Sequence, residues 1–377
     1  MTGSTRPWNR ALAVVAAAAL GLAVLAGSAS AASAKAKPKP KARPSGIENP
    51  GSATISETGS TLLYPLWNIW VPAYQQLFHS VSITTAGTGS GTGITDAANG
   101  TVDIGSSDAY LPPADVQQDP TLENIPLAIS VQVIAYNLPG VTAHLNLSGK
   151  VLSDIYQGKI TSWNDPAIAA ANPNVSLPDI PIVALHRSDG SGDTFIFTTY
   201  LSDTDKAGWG TKVGYSTSVQ WPTTPGALAE QGNGGMVSAC AKTVGCIAYV
   251  GISYLSQLLG DGLTYAALQD GKGKYVLPTP ANVAAEAAYF VKKTPPDGTI
   301  SLIDGPVENG YPIINYEYAI VNTKQSSAST ARAIRSLLEW AVSPKYGNSA
   351  QYLSQVSFQP LPAKLLKASL AQIHKIR

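Results

Sequence analysis

The chain has 377 residues, of which 44% are hydrophobic and 13% are charged, and its formal net charge is +1. This length suits two domains better than one, and the apolar content is sufficient for a sizeable core. The near-neutral balance argues against a nucleic-acid-binding surface or a polyanionic partner, because both usually require an excess of Lys and Arg.

The first residues have the pattern of an export signal. Arg6 and Arg10 precede an apolar run at residues 11–26, and small residues that suit a signal peptidase follow it. Because the run is short for a membrane span, we predict a cleaved signal peptide at residues 1–31 and a periplasmic, extracellular or cell-wall-associated protein. A retained membrane anchor is the alternative. The absence of a cysteine after the run argues against a lipid-modified N-terminus.

A basic, Pro-rich stretch follows, with the sequence KAKPKPKARPSG. Such a composition is extended and solvated and cannot pack a core. We therefore predict a linker at residues 32–50, and the folded body is expected from about Gly51.

Beyond the linker, strand-like and helix-like segments alternate, which indicates α/β layers with mostly parallel sheets. Pro72 is expected to kink or break the helix that contains it. The predicted strands are residues 81–85, 102–105, 127–137, 244–254 and 314–322, and the predicted helices include residues 94–98 and 331–342.

The two cysteines, Cys240 and Cys246, lie close together in CAKTVGC. Their spacing permits a small disulfide loop, and an exported protein meets oxidising conditions. A catalytic cysteine is the alternative, and it would require a nearby base.

Three Gly- and Ser-rich loops, ETGSTLLYP, GTGSGTG and DGSGD, each precede a predicted helix start. A helix N-terminus offers unpaired N–H donors and a partial positive charge, and glycine lets the backbone approach a ligand closely. A single such loop is a common turn in which Ser or Thr caps its own helix. Three of them in one chain indicate a site for a small tetrahedral oxyanion.

Charged residues beside these loops refine the prediction. Arg187 presents a planar fork of donors that suits an oxyanion, and Asp189 can orient that fork. Asp108 follows an apolar strand, at the end where α/β sheets bind ligands. An ionised carboxylate only accepts hydrogen bonds, so Asp108 favours a protonated anion such as phosphate and repels fully ionised sulfate.

At these positions the chain resembles the phosphate-binding protein of the high-affinity phosphate ABC importer. The segments TGSTLLYPLWNIW and GTGSGTGI resemble the two phosphate loops of that family, and VDIGSSDAYL resembles the strand that ends in its proton-accepting aspartate. HRSDGSGDTFIFTTYL resembles its arginine loop. LSGKVLSDIYQGKITSWNDPAI and SFQPLP resemble two further family signatures.

The resemblance implies a type II periplasmic-binding-protein fold, with two lobes built on mostly parallel sheets and joined by crossing strands. Lobe one is expected to hold residues 51–131 and 313–377, and lobe two residues 132–312. It further implies a monomer that binds inorganic phosphate between the lobes and delivers it to the permease subunits of an importer. No enzymatic activity, cofactor, metal or nucleic-acid partner is expected.

The resemblance also supplies the phosphate-binding residues by position. Two of them depart from the family pattern. Asp193 stands where the family often has Thr, and its role as helix cap, second proton acceptor or partner of Arg187 stays open. Leu62 replaces a common aromatic residue, which affects packing because its contact is through the backbone. The full set is Thr61, Leu62, Ser90, Asp108, Arg187, Asp189, Ser191, Gly192 and Asp193.

Three other functions fit parts of the sequence. An exported phosphatase or esterase would require a nucleophile elbow, but neither Ser90 nor Ser191 lies in the G-x-S-x-G pattern. His186, next to Arg187, is the candidate base for such an enzyme. A binding protein for another oxyanion, such as sulfate or molybdate, would not need Asp108. A wall protein that has lost its ligand would not need the polar residues Ser90, Asp108 and Arg187.

Overall fold

The computed structural model describes residues 44–377. The predicted signal peptide and most of the predicted linker lie outside these residues. The last linker residues lie against the folded body. Glu48 Oε2 lies 2.8 Å from Arg335 Nε, and the Glu48 carbonyl accepts a hydrogen bond from the Ser336 hydroxyl at 2.6 Å. Packed structure therefore begins before Gly51.

Strands and helices alternate along the described residues. The strands are β1 (Ala53–Gly59), β2 (Val81–Gly87), β3 (Ile104–Ser107), β4 (Leu122–Tyr136), β5 (Asn146–Leu147), β6 (Val183–Arg187), β7 (Leu228–Glu230), β8 (Cys246–Gly251), β9 (Thr264–Tyr265), β10 (Ala267–Gln269), β11 (Tyr275–Val276) and β12 (Ile314–Asn322). The α-helices are α1 (Tyr64–Gln75), α2 (Ser90–Ala98), α3 (Pro113–Gln118), α4 (Gly149–Tyr156), α5 (Pro166–Ala171), α6 (Gly192–Thr204), α7 (Gly232–Lys242), α8 (Leu255–Gly260), α9 (Pro280–Val291), α10 (Ala328–Val342), α11 (Ala350–Leu353) and α12 (Ala363–Ile373). Within residues 44–377, no helix is both long and apolar enough to span a membrane.

The main sheet has the strand order β2-β1-β3-β12-β4-β8-β6-β7, and β9 also pairs with β4. Parallel pairs lie towards its two ends, where β1 joins β2 and β3, and β6 joins β7 and β8. In the middle, β12 and β4 run antiparallel to each other. A small second sheet has the order β11-β10-β5. The predicted α/β class and the predicted crossing strands are both present.

Strand β4 connects two halves of this sheet. It pairs with β12 from Leu122 to Val131 and with β8 from Gln132 to Tyr136. We call β1, β2, β3 and β12 the first half of the sheet, and β6, β7 and β8 the second half. Apart from its first few residues, β4 is buried throughout, which explains why its sequence is a nearly continuous apolar run.

Helix α1 runs through Pro72 to Gln75, so Pro72 does not break the helix, and the other expected outcome, a kink, stays a prediction. Proline removes one helical hydrogen bond and crowds the preceding turn. The helix also buries Trp67, Trp70 and Tyr74 completely. Burial of such large side chains contributes several kcal/mol, at about 25 cal/mol per Å² of apolar surface, and this offsets the loss.

The predicted disulfide between Cys240 and Cys246 is present, with the two Cα atoms 5.3 Å apart. It joins the end of α7 to the start of β8. The side-chain amide of Asn137 donates to the carbonyls of Cys240 and Ala241 at 3.0 Å each. Because both sulfur atoms are bonded and buried, the alternative of a catalytic thiol is removed.

Candidate oxyanion-binding site

The loop between β1 and α1 brings a serine hydroxyl to the end of the first half of the sheet. Gly59 has a φ of 140°, and a Cβ atom there would collide with the carbonyl of Ser106, so the position requires glycine. The next hydroxyl, Ser60 Oγ, accepts from the N–H of Leu63 at 2.9 Å and donates to the carboxylate of Asp108. The turn thus fixes the hydroxyl that holds Asp108.

The next two residues of this loop, Thr61 and Leu62, contact residues that lie much later in the sequence. Thr61 Oγ1 accepts from the backbone N and the Nδ2 of Asn233, at 3.2 and 3.0 Å. The Leu62 side chain is fully buried, and its carbonyl accepts from the Ser253 hydroxyl at 2.7 Å. This burial agrees with the expectation that the Leu62 side chain serves packing.

Asp108 directly follows β3 and is almost completely buried. Ser90, the first residue of α2, lies beside it: Ser90 Oγ is 3.3 Å from Asp108 Oδ2 and accepts from the Asp108 N–H at 3.1 Å. Asn315 on β12 donates to the Asp108 carbonyl at 2.6 Å. Hydroxyl and amide groups from three elements therefore fix both the side chain and the backbone of Asp108.

Arg187 ends β6, and its side chain is 1% exposed. Its Nε donates to Asp189 Oδ1 at 2.7 Å, a second nitrogen donates to Asp189 Oδ2, and the third donates to Asp193 Oδ2 at 2.8 Å. A guanidinium has five N–H donors. Among the residues that the structure describes, these three hydrogen bonds use three of the five N–H groups. Two N–H groups are left for a further acceptor.

Asp193 lies in the first turn of α6 and is fully buried. Gln132 Nε2 donates to its Oδ1 at 3.2 Å, and Asn233 Nδ2 donates to its Oδ2 at 2.6 Å. The capping role belongs to Ser191, whose Oγ accepts from the N–H of the third helical residue at 3.2 Å. Of the three roles considered for Asp193, the structure has the pairing with Arg187.

The loops of the two halves touch each other. Gly91 in α2 donates its N–H to the carbonyl of Gly190 at 2.9 Å. A Cβ atom on Gly192 would lie 2.5 Å from Ser90 Oγ and would also collide with Asp108, so glycine permits the close approach. The residues predicted from sequence thus meet in one largely buried cluster, and Leu62 follows Thr61 in the loop that enters it.

Comparisons with known proteins identify the family. A family model described as a PBP superfamily domain matches residues 44–345. The phosphate-binding protein PstS of Xylella fastidiosa is 34% identical over 325 residues, which cover 86% of each chain. PstS of Methanocaldococcus jannaschii is 34% identical over 362 residues, 89% of this chain and 90% of that one. The chain belongs to the PBP superfamily and, within it, to the PstS family.

A solved structure of a high-affinity periplasmic phosphate-binding protein (PfluDING) bound with phosphate superimposes with a TM-score of 0.67. It is 22% identical, and the match covers 84% of this chain and 93% of that chain. This likeness shows the fold. The predicted family and the predicted two-lobed periplasmic-binding-protein fold are therefore confirmed.

The buried charges of this PstS-family protein shift one another's pKa values. The pKa of Asp108 is raised to about 7 by its burial, the largest cause, and by the charge of Asp193, while hydrogen bonds and the charge of Arg187 lower it. Burial also raises the pKa of Asp193. Burial works against the charge of Arg187, but Asp189 and Asp193 outweigh it and raise its pKa. The site combines a permanent cation with a carboxyl group that titrates near neutral pH.

His186, the candidate base for an enzymatic reaction, has an environment that differs from that of the cluster around Asp108. The His186 ring stacks on Trp221 with centroids 4.8 Å apart, and its Nδ1 lies 3.1 Å from the Arg187 carbonyl. The cluster around Asp108 instead consists of hydroxyl, amide and guanidinium donors. This chemistry suits the binding of an anion more than the transfer of a group.

Four residues of the site were missed from the sequence. Ser60 adjoins the predicted Thr61 and has no distinct signal. Asn233 lies in GNGGM, a Gly-rich helix start of the kind used to find the other loops. Gln132 and Glu317 are buried polar residues within the apolar strands β4 and β12, and this interruption is the signal that could have found them.

Proposed function

We propose that this protein binds inorganic phosphate between the two halves of its sheet and delivers it to the membrane subunits of an ABC importer. The observation that carries the proposal is the buried Arg187, held by two carboxylates, in one cluster with a buried Asp108 that titrates near neutral pH. The names of its relatives, phosphate-binding proteins PstS, support phosphate as the ligand.

Most of the proposed ligand donors are backbone and hydroxyl groups. Helices α2 and α6 begin at the cluster, and the first N–H groups of a helix have no carbonyl one turn earlier. These groups and the helix dipoles favour an oxyanion. Asp189 and Asp193 hold the guanidinium in place. The proposed phosphate contacts are Thr61, Leu62, Ser90, Asp108, Arg187, Ser191 and Gly192.

Asp108 provides the discrimination between anions. At neutral pH phosphate carries at least one proton, whereas sulfate carries none. An ionised Asp108 can accept that proton in a hydrogen bond, and it repels an anion that has no proton to donate. The shared chemistry with arsenate predicts that arsenate binds as well.

The lobe boundaries proposed are residues 51–131 with 313–377, and residues 132–312. The pairing of β4 supports them, because its partner changes from β12 to β8 between Val131 and Gln132. Lobe one then supplies Asp108 and lobe two supplies Arg187. A ligand that bonds to both lobes stabilises the closed form, which the membrane subunits can recognise.

The proposal includes an exported monomer that partners with permease subunits and catalyses no reaction. The export pattern at residues 1–31 and the disulfide between Cys240 and Cys246 support an oxidising, extracytoplasmic compartment. The relatives' names describe binding proteins rather than enzymes.

Isothermal titration of phosphate-stripped protein with phosphate, arsenate and sulfate tests the proposal. We expect phosphate and arsenate to bind, and sulfate to bind about 100-fold more weakly, since an unmatched buried carboxylate costs about 1.5–3 kcal/mol. Absence of phosphate binding overturns the proposal, and equal sulfate binding overturns the discrimination step. Turnover of a chromogenic phosphate ester would support the phosphatase alternative instead.

A further inference from the structure

Glu317 on β12 lies opposite Asp108. Strand β12 pairs antiparallel with β3, and Tyr318 faces Ser107. The next step of the same register sets Glu317 against Asp108. Residues directly opposite in an antiparallel pair point to the same face, with Cβ atoms roughly 5 Å apart. A side-chain hydrogen bond from Asn315 Nδ2 to the Asp108 carbonyl, 2.6 Å, also ties Asp108 to β12.

The Glu317 carboxyl group is fully buried and incompletely paired. Its Oε1 accepts from the Ser130 hydroxyl at 2.5 Å. Its Oε2 has no N–H or O–H donor among residues 44–377, yet the carboxyl group lies within hydrogen-bond reach of the Asp108 carboxyl. Two carboxylates can only accept, so a hydrogen bond between them requires a proton on one of the two.

The surroundings determine which of the two carries the proton. Burial raises the pKa of Glu317 well above its ordinary value, and the charge of Asp108 raises it further. Asp108 has additional donors in the hydroxyls of Ser60 and Ser90, and these favour its ionised form. The acidic and basic groups on the elements packed against β12, and beyond them in the cluster, are Asp108, Asp96, Glu123, Glu286, Asp193 and Arg187, and the same elements also carry the titratable phenols Tyr136 and Tyr289.

We propose that Glu317 is a positioning residue that keeps its proton and donates a hydrogen bond through it to Asp108, so that Asp108 meets the ligand as an ionised, oriented acceptor. This proposal rests on the proposed phosphate function, which it extends with a mechanism for anion discrimination. Glu317 does not touch the ligand. It acts because its hydrogen bond favours the ionised form of Asp108, and an Asp108 that became protonated would donate to the anion and stop rejecting sulfate.

Two substitutions distinguish the effect of a proton on Glu317 from the effect of a negative charge there. Glu317→Gln keeps the shape, donates permanently through its amide and still accepts from Ser130. Glu317→Leu removes the donor. Glu57→Gln is the matched control, because Glu57 is also a buried strand glutamate that bonds to a threonine hydroxyl, Thr85, but its partners do not include Asp108.

Phosphate and sulfate titrations of these three variants and the wild-type protein, over a pH series from mildly acidic to alkaline, test the proposal. We expect Glu317→Gln to keep the wild-type phosphate affinity within about threefold and to lose less affinity at the alkaline end of the series, above about pH 9, where the wild-type pair gives up its proton. Glu317→Leu should weaken phosphate binding about tenfold or more and reduce the phosphate-to-sulfate ratio. Glu57→Gln should follow the wild-type profile.

Either of two results overturns the proposal. The first is a folded Glu317→Gln variant that loses phosphate binding as fully as Glu317→Leu, because that would require an ionised Glu317. The second is a set of identical pH profiles for all four proteins. Folding is checked by circular dichroism for each variant. If Glu317→Leu does not fold, the titrations of Glu317→Gln and infrared spectroscopy test the proposal.

Infrared spectroscopy of the ligand-free protein separates this proposal from the phosphate function. A protonated carboxyl group has its own C=O band. We expect a band that persists in the wild-type protein at about pH 9, above the usual range of carboxyl pKa values, and that is absent in Glu317→Gln. If phosphate does not bind, but the band persists in the wild-type protein and is absent in Glu317→Gln, the proposed phosphate function is wrong and the proposal that Glu317 keeps a proton is still supported. If the band is unchanged in Glu317→Gln, Glu317 does not hold the proton.

Discussion

Replacing Asp108 by asparagine tests the discrimination step directly. Asparagine keeps the size of the side chain but removes its charge and turns one of its two oxygen positions into a donor. Phosphate then loses a charge-assisted acceptor for its proton. A hydrogen bond to a charged group contributes about 1.5–3 kcal/mol, which corresponds to roughly a 10- to 150-fold loss of phosphate affinity.

The structure also determines how the asparagine sits. The Ser60 hydroxyl donates to one oxygen of Asp108, and Ser90 Oγ lies 3.3 Å from the other. An asparagine can accept from only one of them, so its amide oxygen faces Ser60 and its NH2 group lies near Ser90 and the ligand. Sulfate gains this donor and loses a repulsive charge. The phosphate-to-sulfate affinity ratio should therefore fall by about 100-fold or more.

The assay is isothermal titration with both anions at a pH one unit above the pKa of Asp108, which burial raises to about 7. The matched control is Asp103→Asn, because the Asp103 carboxylate accepts from the backbone N and the hydroxyl of Ser56, at 2.8 and 2.9 Å, away from the cluster. An affinity ratio that is unchanged in Asp108→Asn, with the protein folded, refutes the role of Asp108 as proton acceptor.

Three further predictions use other parts of the structure. Arg187→Met leaves the buried Asp193 carboxylate and the partly buried Asp189 carboxylate without their cation and should weaken phosphate binding by about 100-fold or more; a near-normal titration contradicts this. Asn233→Ala removes the side-chain bonds to Thr61, Asp193 and the Gly251 N–H and should weaken phosphate binding about tenfold or more; an unchanged phosphate titration contradicts this. Burial raises the pKa of Glu57 from 4.5 to about 7. Its stabilising contribution is therefore complete below pH 4.5 and is lost as the pH rises to about 7. Glu57→Gln should flatten this part of the stability curve in denaturant unfolding, and parallel curves would argue against it.

Local sequence predicted the elements whose pattern is self-contained. The strand at Ile314–Asn322 agrees end to end with its predicted range, because a segment rich in β-branched and aromatic residues there lies between Pro312 and the polar pair Thr323 and Lys324. The pairing of β4 with two different partners left no mark on its sequence, since both halves of the strand are equally apolar and buried. The contact of Glu48 with Arg335 also depends on tertiary structure, which brings together two distant parts of the chain.

The residues of the candidate site also fall into two groups: those that local sequence predicted and those whose role depends on tertiary structure. Its loops were found because glycine and serine at helix starts have a local physical meaning. The pairing of Asp193 with Arg187 remained one option among three, since it depends on how α6 packs against β6. Glu317 was missed because its importance comes from the register between β12 and β3, although a single charge within an apolar strand is itself an unusual feature.

The arrangement of charges limits how the site can attract an anion. Arg187 is bonded to Asp189 and to Asp193, so much of its charge is already balanced within the protein. Asp108 adds a further buried acid, and the chain as a whole carries a net charge of only +1. Long-range attraction to an anion is therefore weak. In the proposed site, binding comes from short contacts with N–H and hydroxyl groups and includes a proton between Asp108 and the ligand, since two adjacent bare anions would repel each other in a buried site. Affinity and selectivity for a protonated oxyanion then arise from the same contacts.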